Sequence, residues 1–263
     1  MRPAQAAEET GMQAEVKGST MPVLEVHLQQ GEQLISAHGE LSWMSPNVQM
    51  SQTTSTGSGG GGLMQGLKRA IGGGGIFLTR FEAGGGPGMV AFAAKLPGHI
   101  VPVDIGHGQS FLVHKSGWIC STPGVTPSVG LQQSFRGGLW GGEGFILQRL
   151  DGEGRAWIEL SGELTTYTLE AGQTLLVHPG HVGMFEAQVQ FRITQVPGIA
   201  NKLFGSDGFH LVTLTGPGQI WLQSMPLPNL AHALQPYIAA DSTAQSAAAG
   251  GAGGIIGGIL RGN

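Results

Sequence analysis

The sequence predicts an all-β protein: a pseudo-threefold double-stranded β-helix, or closed barrel, built from three repeats. The first observation behind this is a near-copy. Residues 144–160 (GFILQRLDGEGRAWIEL) and 208–224 (GFHLVTLTGPGQIWLQS) agree at seven of seventeen positions, among them Gly144/Gly208, Gly152/Gly216, Gly154/Gly218 and Trp157/Trp221. The second is a three-way match without gaps: GEQLISAHGELSWMSPNV (31–48), GQSFLVHKSGWICSTPGV (108–125) and GQTLLVHPGHVGMFEAQV (172–189). The third is short apolar–polar alternation broken by glycine, with 47 Gly in 263 residues and no collagen period.

Flanking segments extend the match. LPGHIVPVDI (96–105) aligns with LSGELTTYTL (160–169), and GIFLTRFEAGGGPGMVAF (75–92) is a looser form of the near-copy. The units span roughly 65–75 residues. In chain order they read as half a unit, two full units and a half, with residues 22–50 completing the C-terminal copy. The first and last strands should then lie side by side, which would close the barrel and remove its sheet edges. Alternate apolar positions such as Phe145 and Leu147 would face inward. The GxG pair needs a tight turn with positive φ at one residue or more.

Taken in order, residues 1–21 read as a flexible polar arm and residues 22–229 as one β domain. Residues 51–62 (SQTTSTGSGGGG) read as a flexible loop. Leu63, Leu67 and Ala70 or Ile71 share helical spacing, so a short helix is expected over 63–71, closed by Gly72 to Gly75. A second short helix is expected near 229–235, capped by Asn229 and stopped by Pro236. Residues 230–263 then comprise that helix and an Ala/Gly-rich tail ending GGAGGIIGGILRGN.

Composition narrows the functional classes. Only 11% of residues are charged, against roughly 25% in ordinary soluble domains, so the surface should be either covered by further copies, the favoured reading, or coated by Ser, Thr, Gln and Gly. A homo-oligomer is expected, with a trimer favoured by the threefold pattern. The net charge of −4 and the lack of a Lys/Arg cluster give no basis for nucleic-acid binding. Cys120 is the single cysteine, which excludes an internal disulfide. The N-terminus shows no signal or transit pattern, and no run reaches the ~18 apolar residues of a membrane span. A cytoplasmic protein is the expectation, with the tail able to meet a membrane surface or a protein partner.

The combination of GEQLISAHGELSWMSPNVQM, GLMQGLKRAIGGGGIFLTRF, LPGHIVPVDI, GGEGFILQRLDGEGRAWIEL and LTGPGQIWLQSMP resembles the family named "altered inheritance of mitochondria, protein 24". That family groups bacterial and archaeal proteins with a fungal member linked to mitochondrial biogenesis. The resemblance covers residues 22 to about 230. It implies a double-stranded β-helix like that of the tryptophan RNA-binding attenuation protein. It implies no enzyme activity and no catalytic residues, and the Lys/Arg loops used to bind RNA have no counterpart here.

Candidate chemistry rests on histidine. His114 and His178 occupy equivalent repeat positions where the remaining copy has Ala37, and His181 follows at i+3 with Glu186 downstream. A cupin-like barrel would hold a metal or small molecule on such ligands. The His-x-His pair of cupins is absent, and a turn at Pro179 and Gly180 is needed to bring His178 and His181 together. Gly57, Gly59 and Gly62 match GxGxxG but lack the flanking strand and long helix of a nucleotide site. Lys68 and Arg69 could touch anionic lipid or complement a helix dipole. Cys120 as a nucleophile would need a nearby base. None of these outweighs a structural role, so no catalytic residue, cofactor or metal is assigned. The leading reading is a non-catalytic homo-oligomeric scaffold or binding module. The alternatives are a cupin-like binder using His178 and His181, or a peripheral membrane protein using its tail.

Overall fold

The structure is a computed structural model that describes residues 12–54, 77–133, 145–196, 209–227, 229–231, 233, 234 and 237. It is all-β. After β1 (Gln13–Lys17), three consecutive sets of six strands follow. The first set is β2 (Val23–Leu28), β3 (Gln33–Ala37), β4 (Trp43–Met44), β5 (Val48–Thr54), β6 (Phe77–Ala83) and β7 (Gly88–Ala93). The second is β8 (Gly98–Ile105), β9 (Phe111–His114), β10 (Trp118–Ser121), β11 (Val125–Gln133), β12 (Phe145–Gly152) and β13 (Gly154–Ser161). The third is β14 (Leu164–Leu169), β15 (Thr174–Val177), β16 (Val182–Glu186), β17 (Gln190–Val196), β18 (Phe209–Thr215) and β19 (Gly218–Gln223).

Strand order carries a regularity. One six-stranded sheet runs β5-β6-β3-β10-β13-β8, and the other runs β11-β12-β9-β16-β19-β14. Adding six to each strand number of the first gives the second. The registers agree as well: Leu28 faces Gly88, Ile105 faces Gly154 and Leu169 faces Gly218. Five residues along, Val23 faces Ala93, Ile100 faces Glu159 and Leu164 faces Gln223.

The turns recur by the same chemistry. Gly31, Gly108 and Gly172 have φ of 82°, 75° and 81°, a region open to glycine at no steric cost. The residue after each glycine turns its side chain back to accept a backbone N–H. Glu32 accepts from Gln29 at 2.7 Å, Gln109 from Gly106 at 3.0 Å and Gln173 from Glu170 at 3.0 Å. A second device sits at the next corner. There Ser45, Thr122 and Glu186 accept the N–H of Met89, Arg155 and Gln219 at 3.0, 3.0 and 2.7 Å. These bonds satisfy donors that the strand ladders leave over. The expected positive φ in the GxG turns is present at Gly152, Gly154 and Gly218.

Three apolar clusters fill the interior. Leu24, Phe81 and Phe92 anchor the first; Phe111, Trp118, Ile158 and Met184 the second; Leu147, Phe185, Leu214 and Ile220 the third. The second joins all three strand sets, since it also takes Ile35 from β3 and Met184 from β16. Each such side chain contributes roughly 1.5–3 kcal/mol by leaving water.

Three expectations need correction. The sheets do not close into a barrel: β4 and β15 each end a sheet, in the orders β1-β2-β7-β4 and β15-β18-β17. Nor does the chain divide as half, full, full and half, because the last set owns all six of its strands and no described ladder joins the first strands to the last. Residues 13–17 are not part of a loose arm; they form β1, paired with β2 from Gln13 opposite His27 to Lys17 opposite Val23. The expected helix over 63–71 lies outside the described residues. Near 229–235 the described residues from 227 to 237 are helical; Asn229 lies within the helical residues rather than capping them, and Tyr237, beyond Pro236, is helical too.

Candidate functional site

The most polar part of the interior lies where the first and second strand sets meet. β13 is apolar and buried along most of its length, yet it carries Glu159 at 5% exposure. A buried carboxylate requires donors. Glu159 Oε1 accepts the backbone N–H of Lys95 at 2.8 Å and of Leu96 at 3.2 Å, in the link between β7 and β8. Lys95 Nζ pairs with Glu40, which sits between β3 and β4. Burial raises the Glu40 carboxyl above its ordinary range and the negative charge of Glu159 adds to this, while the Lys95 ammonium opposes it.

His114, at the end of β9, closes the cluster. Its Nε2 lies 3.0 Å from the Glu159 carbonyl oxygen. A carbonyl only accepts, so Nε2 carries the proton and donates. Burial lowers the pKa of His114, the carbonyl bond opposes this, and the Lys95 charge lowers it further. Cys120 lies on β10 opposite Ser36 of β3 and is fully buried. Burial, then the Glu40 charge, push its thiol well above the usual range. That is the reverse of what a nucleophilic cysteine needs.

The same junction recurs between the second and third sets with the charge removed. Gln223, at the register of Glu159, accepts the N–H of Ser161 at 3.0 Å and donates to the Gly180 carbonyl at 3.0 Å. His181 Nδ1 donates to the Gln223 carbonyl at 2.8 Å. His178 precedes a 3-10 turn, Pro179–His181, which brings the two imidazoles to a ring-centroid distance of 5.8 Å. The turn that the sequence required is therefore present. Burial, then the neighbouring His181, lower the pKa of His178.

His114 does not join the His178/His181 pair; the two lie at successive junctions. Among the described residues no group of three or more His, Cys, Asp or Glu is placed to hold a metal ion. Among them, too, no helix is long and apolar enough to cross a membrane. Gly57, Gly59, Gly62, Lys68, Arg69 and the C-terminal tail from residue 238 lie outside the described residues. Sequence reasoning missed Glu40, Lys95 and Glu159. The available signal was Glu159 itself, a charge in a buried strand at the position where the aligned copy has Gln223.

At the Glu159 junction the carboxylate ties β13 to the β7–β8 link, Lys95 pairs with Glu40, and His114 is bonded to the Glu159 carbonyl. The arrangement supplies a shielded carboxylate at Glu159 and, at His114, an imidazole whose charged form burial disfavours. Comparison with known proteins agrees with this architecture. An uncharacterised protein of Streptococcus pyogenes serotype M6 is 25% identical over 224 residues, spanning 84% of this chain and 88% of its own. A Streptococcus pyogenes protein solved by X-ray crystallography as a structural-genomics target matches with a TM-score of 0.68 at 22% identity, covering 86% of this chain and 99% of that one. The sequence model of the mitochondrial biogenesis AIM24 family matches residues 14–225. With that span matched, the chain belongs to the mitochondrial biogenesis AIM24 family.

Proposed function

We propose that the protein is a non-catalytic β scaffold or binding module of three six-stranded units, working as a homo-oligomer in the cytoplasm. A trimer is the expected state. The observation that carries this reading is the junction at Glu159. The Glu159 carboxylate is occupied by the N–H groups of Lys95 and Leu96, the His114 Nε2–H by the Glu159 carbonyl, and burial keeps the Cys120 thiol protonated. The recurring turn bonds and registers support the three-unit reading. The low charge content supports self-association, because 11% charged residues are few with which to solvate a free surface. Light scattering or native mass spectrometry at micromolar concentration tests it. A multiple of the 27.2 kDa chain mass is expected, and a monomer overturns the oligomeric reading.

A second reading, a small-molecule or metal binder, has one observation in its favour: the approach of His178 and His181. Burial favours the neutral imidazole of His178, the form that ligates. Elemental analysis of untagged protein, with His178→Ala as control, tests it. Stoichiometric metal lost in the variant would support that reading, and its absence removes it.

A further inference from the structure

We infer that the free edges of β4 and β15 are the two halves of one interface, and that a second copy of this chain occupies it, with β15 of one copy adding to β4 of the next. The inference rests on the homo-oligomer proposed above and names its contact surface. Within the chain, successive strand sets join at two places. At the first, Cys120 and Ser121 of β10 face Ser36 and Ile35 of β3. At the second, Met184 and Phe185 of β16 face Val113 and Leu112 of β9. Ser36 and Val113 are 77 residues apart, and Cys120 and Met184 are 64 apart. Counting 77 back from Cys120 reaches Trp43 of β4; counting 64 on from Val113 reaches Val177 of β15. A third join of the same kind therefore sets Trp43 opposite Val177, and Met44 opposite Leu176.

Burial marks these strands as halves of a join that a single chain leaves unmade. Cys120 and Met184 are fully buried, while Trp43, at the same position, is 45% exposed. Ile35 is buried and Leu112 half-buried, while Leu176 is 57% exposed. Neither strand is protected against pairing. Free edges are ordinarily blunted by charge or proline, as with Glu15 and Lys17 on β1, Pro102 and Asp104 on β8, Pro127 on β11 and Arg192 on β17. The other two edges also lack charge and proline but are mostly polar, β5 carrying Gln, Ser and Thr and β14 three Thr. β4 reads WM and β15 reads TLLV, without charge or proline. Among the described residues no ladder joins them to each other. A second copy brings both halves. Because the halves differ, the contact is head-to-tail, and it closes into a ring if the rotation per copy allows.

Cross-linking the full chain tests this. Opposed residues of an antiparallel pair lie about 4.5–5.5 Å apart at Cα, within the roughly 4.4–6.8 Å that a disulfide spans. Met44→Cys with Leu176→Cys, mildly oxidised, should give covalent species of two or more chains that neither single variant gives. A disulfide confined to single chains would overturn the inference in favour of closure within the chain, and no disulfide at all would also overturn it. Leu176→Asp, whose site is exposed in the single chain, should retain the wild-type circular dichroism but lose the oligomer. An oligomer unchanged by Leu176→Asp would sink this interface and leave the oligomeric scaffold standing. A monomeric wild type would sink both.

Discussion

Glu159 accepts the backbone N–H of Lys95 at 2.8 Å, and so ties the end of the first strand set to the core of the second. Gln223, at the matching position of β19, accepts the N–H of Ser161, one residue beyond the match of Leu96, so a neutral amide can hold a join of this kind. Glu159→Gln should therefore change stability by less than about 1 kcal/mol. Glu159→Leu leaves the N–H groups of Lys95 and Leu96 without that acceptor and should cost ~2–3 kcal/mol. Urea unfolding of both variants checks this; equal losses would contradict it.

Acid should weaken the same junction through histidine. Burial lowers His114 from its ordinary value of 6.5, so the folded state binds fewer protons than the unfolded one below that pH. The stabilisation is fully present above about 6.5 and is lost as pH falls from there through the folded-state value. His178 acts in the same direction. Glu40 has the opposite sign: its raised pKa favours folding below about 4.5 and is lost as pH rises through the folded value. The difference between wild type and His114→Gln isolates the histidine. Melting temperature should fall less steeply from pH ~7 to ~5 in the variant.

Cys120 should be chemically silent in the native protein. Its full burial and raised pKa predict negligible alkylation at pH ~8, with complete labelling once guanidinium unfolds the chain. Mass spectrometry of the labelled protein distinguishes the two states. Rapid native labelling would mean that the β3–β10 join opens readily.

Two glycines separate backbone strain from packing. Gly31 sits at φ 82°, and a methyl on its Cα would meet open space, so Gly31→Ala should cost about 1–2 kcal/mol through its backbone alone. A methyl at Gly98 would run into the Leu160 carbonyl oxygen and the Ser161 backbone. Gly98→Ala should therefore cost more than Gly31→Ala, as overpacking forces β8 from β13. Chemical denaturation of the two variants ranks them, and the reverse order would contradict this account.

Part of the site was legible from the chain. His178 and His181 could be brought together only by a turn, and Pro179 and Gly180 supplied the residues for one. The Glu40–Lys95–Glu159 cluster was not legible, because its members come from three distant segments. No local period relates them; the β7–β8 link and the β13 strand meet only through sheet pairing.

The sequence by itself determined the all-β class, the positive-φ glycine turns and the inward faces of Phe145 and Leu147. Those features depend on a few neighbouring residues. The helix near 229 and the class of the fold follow from equally local signals. Tertiary structure decided whether the ends of the chain meet. The repeat pattern argued for closure, yet closure depends on the twist accumulated over all three strand sets. Trp43 and Leu176 are exposed on β4 and β15, each of which ends a sheet among the described residues.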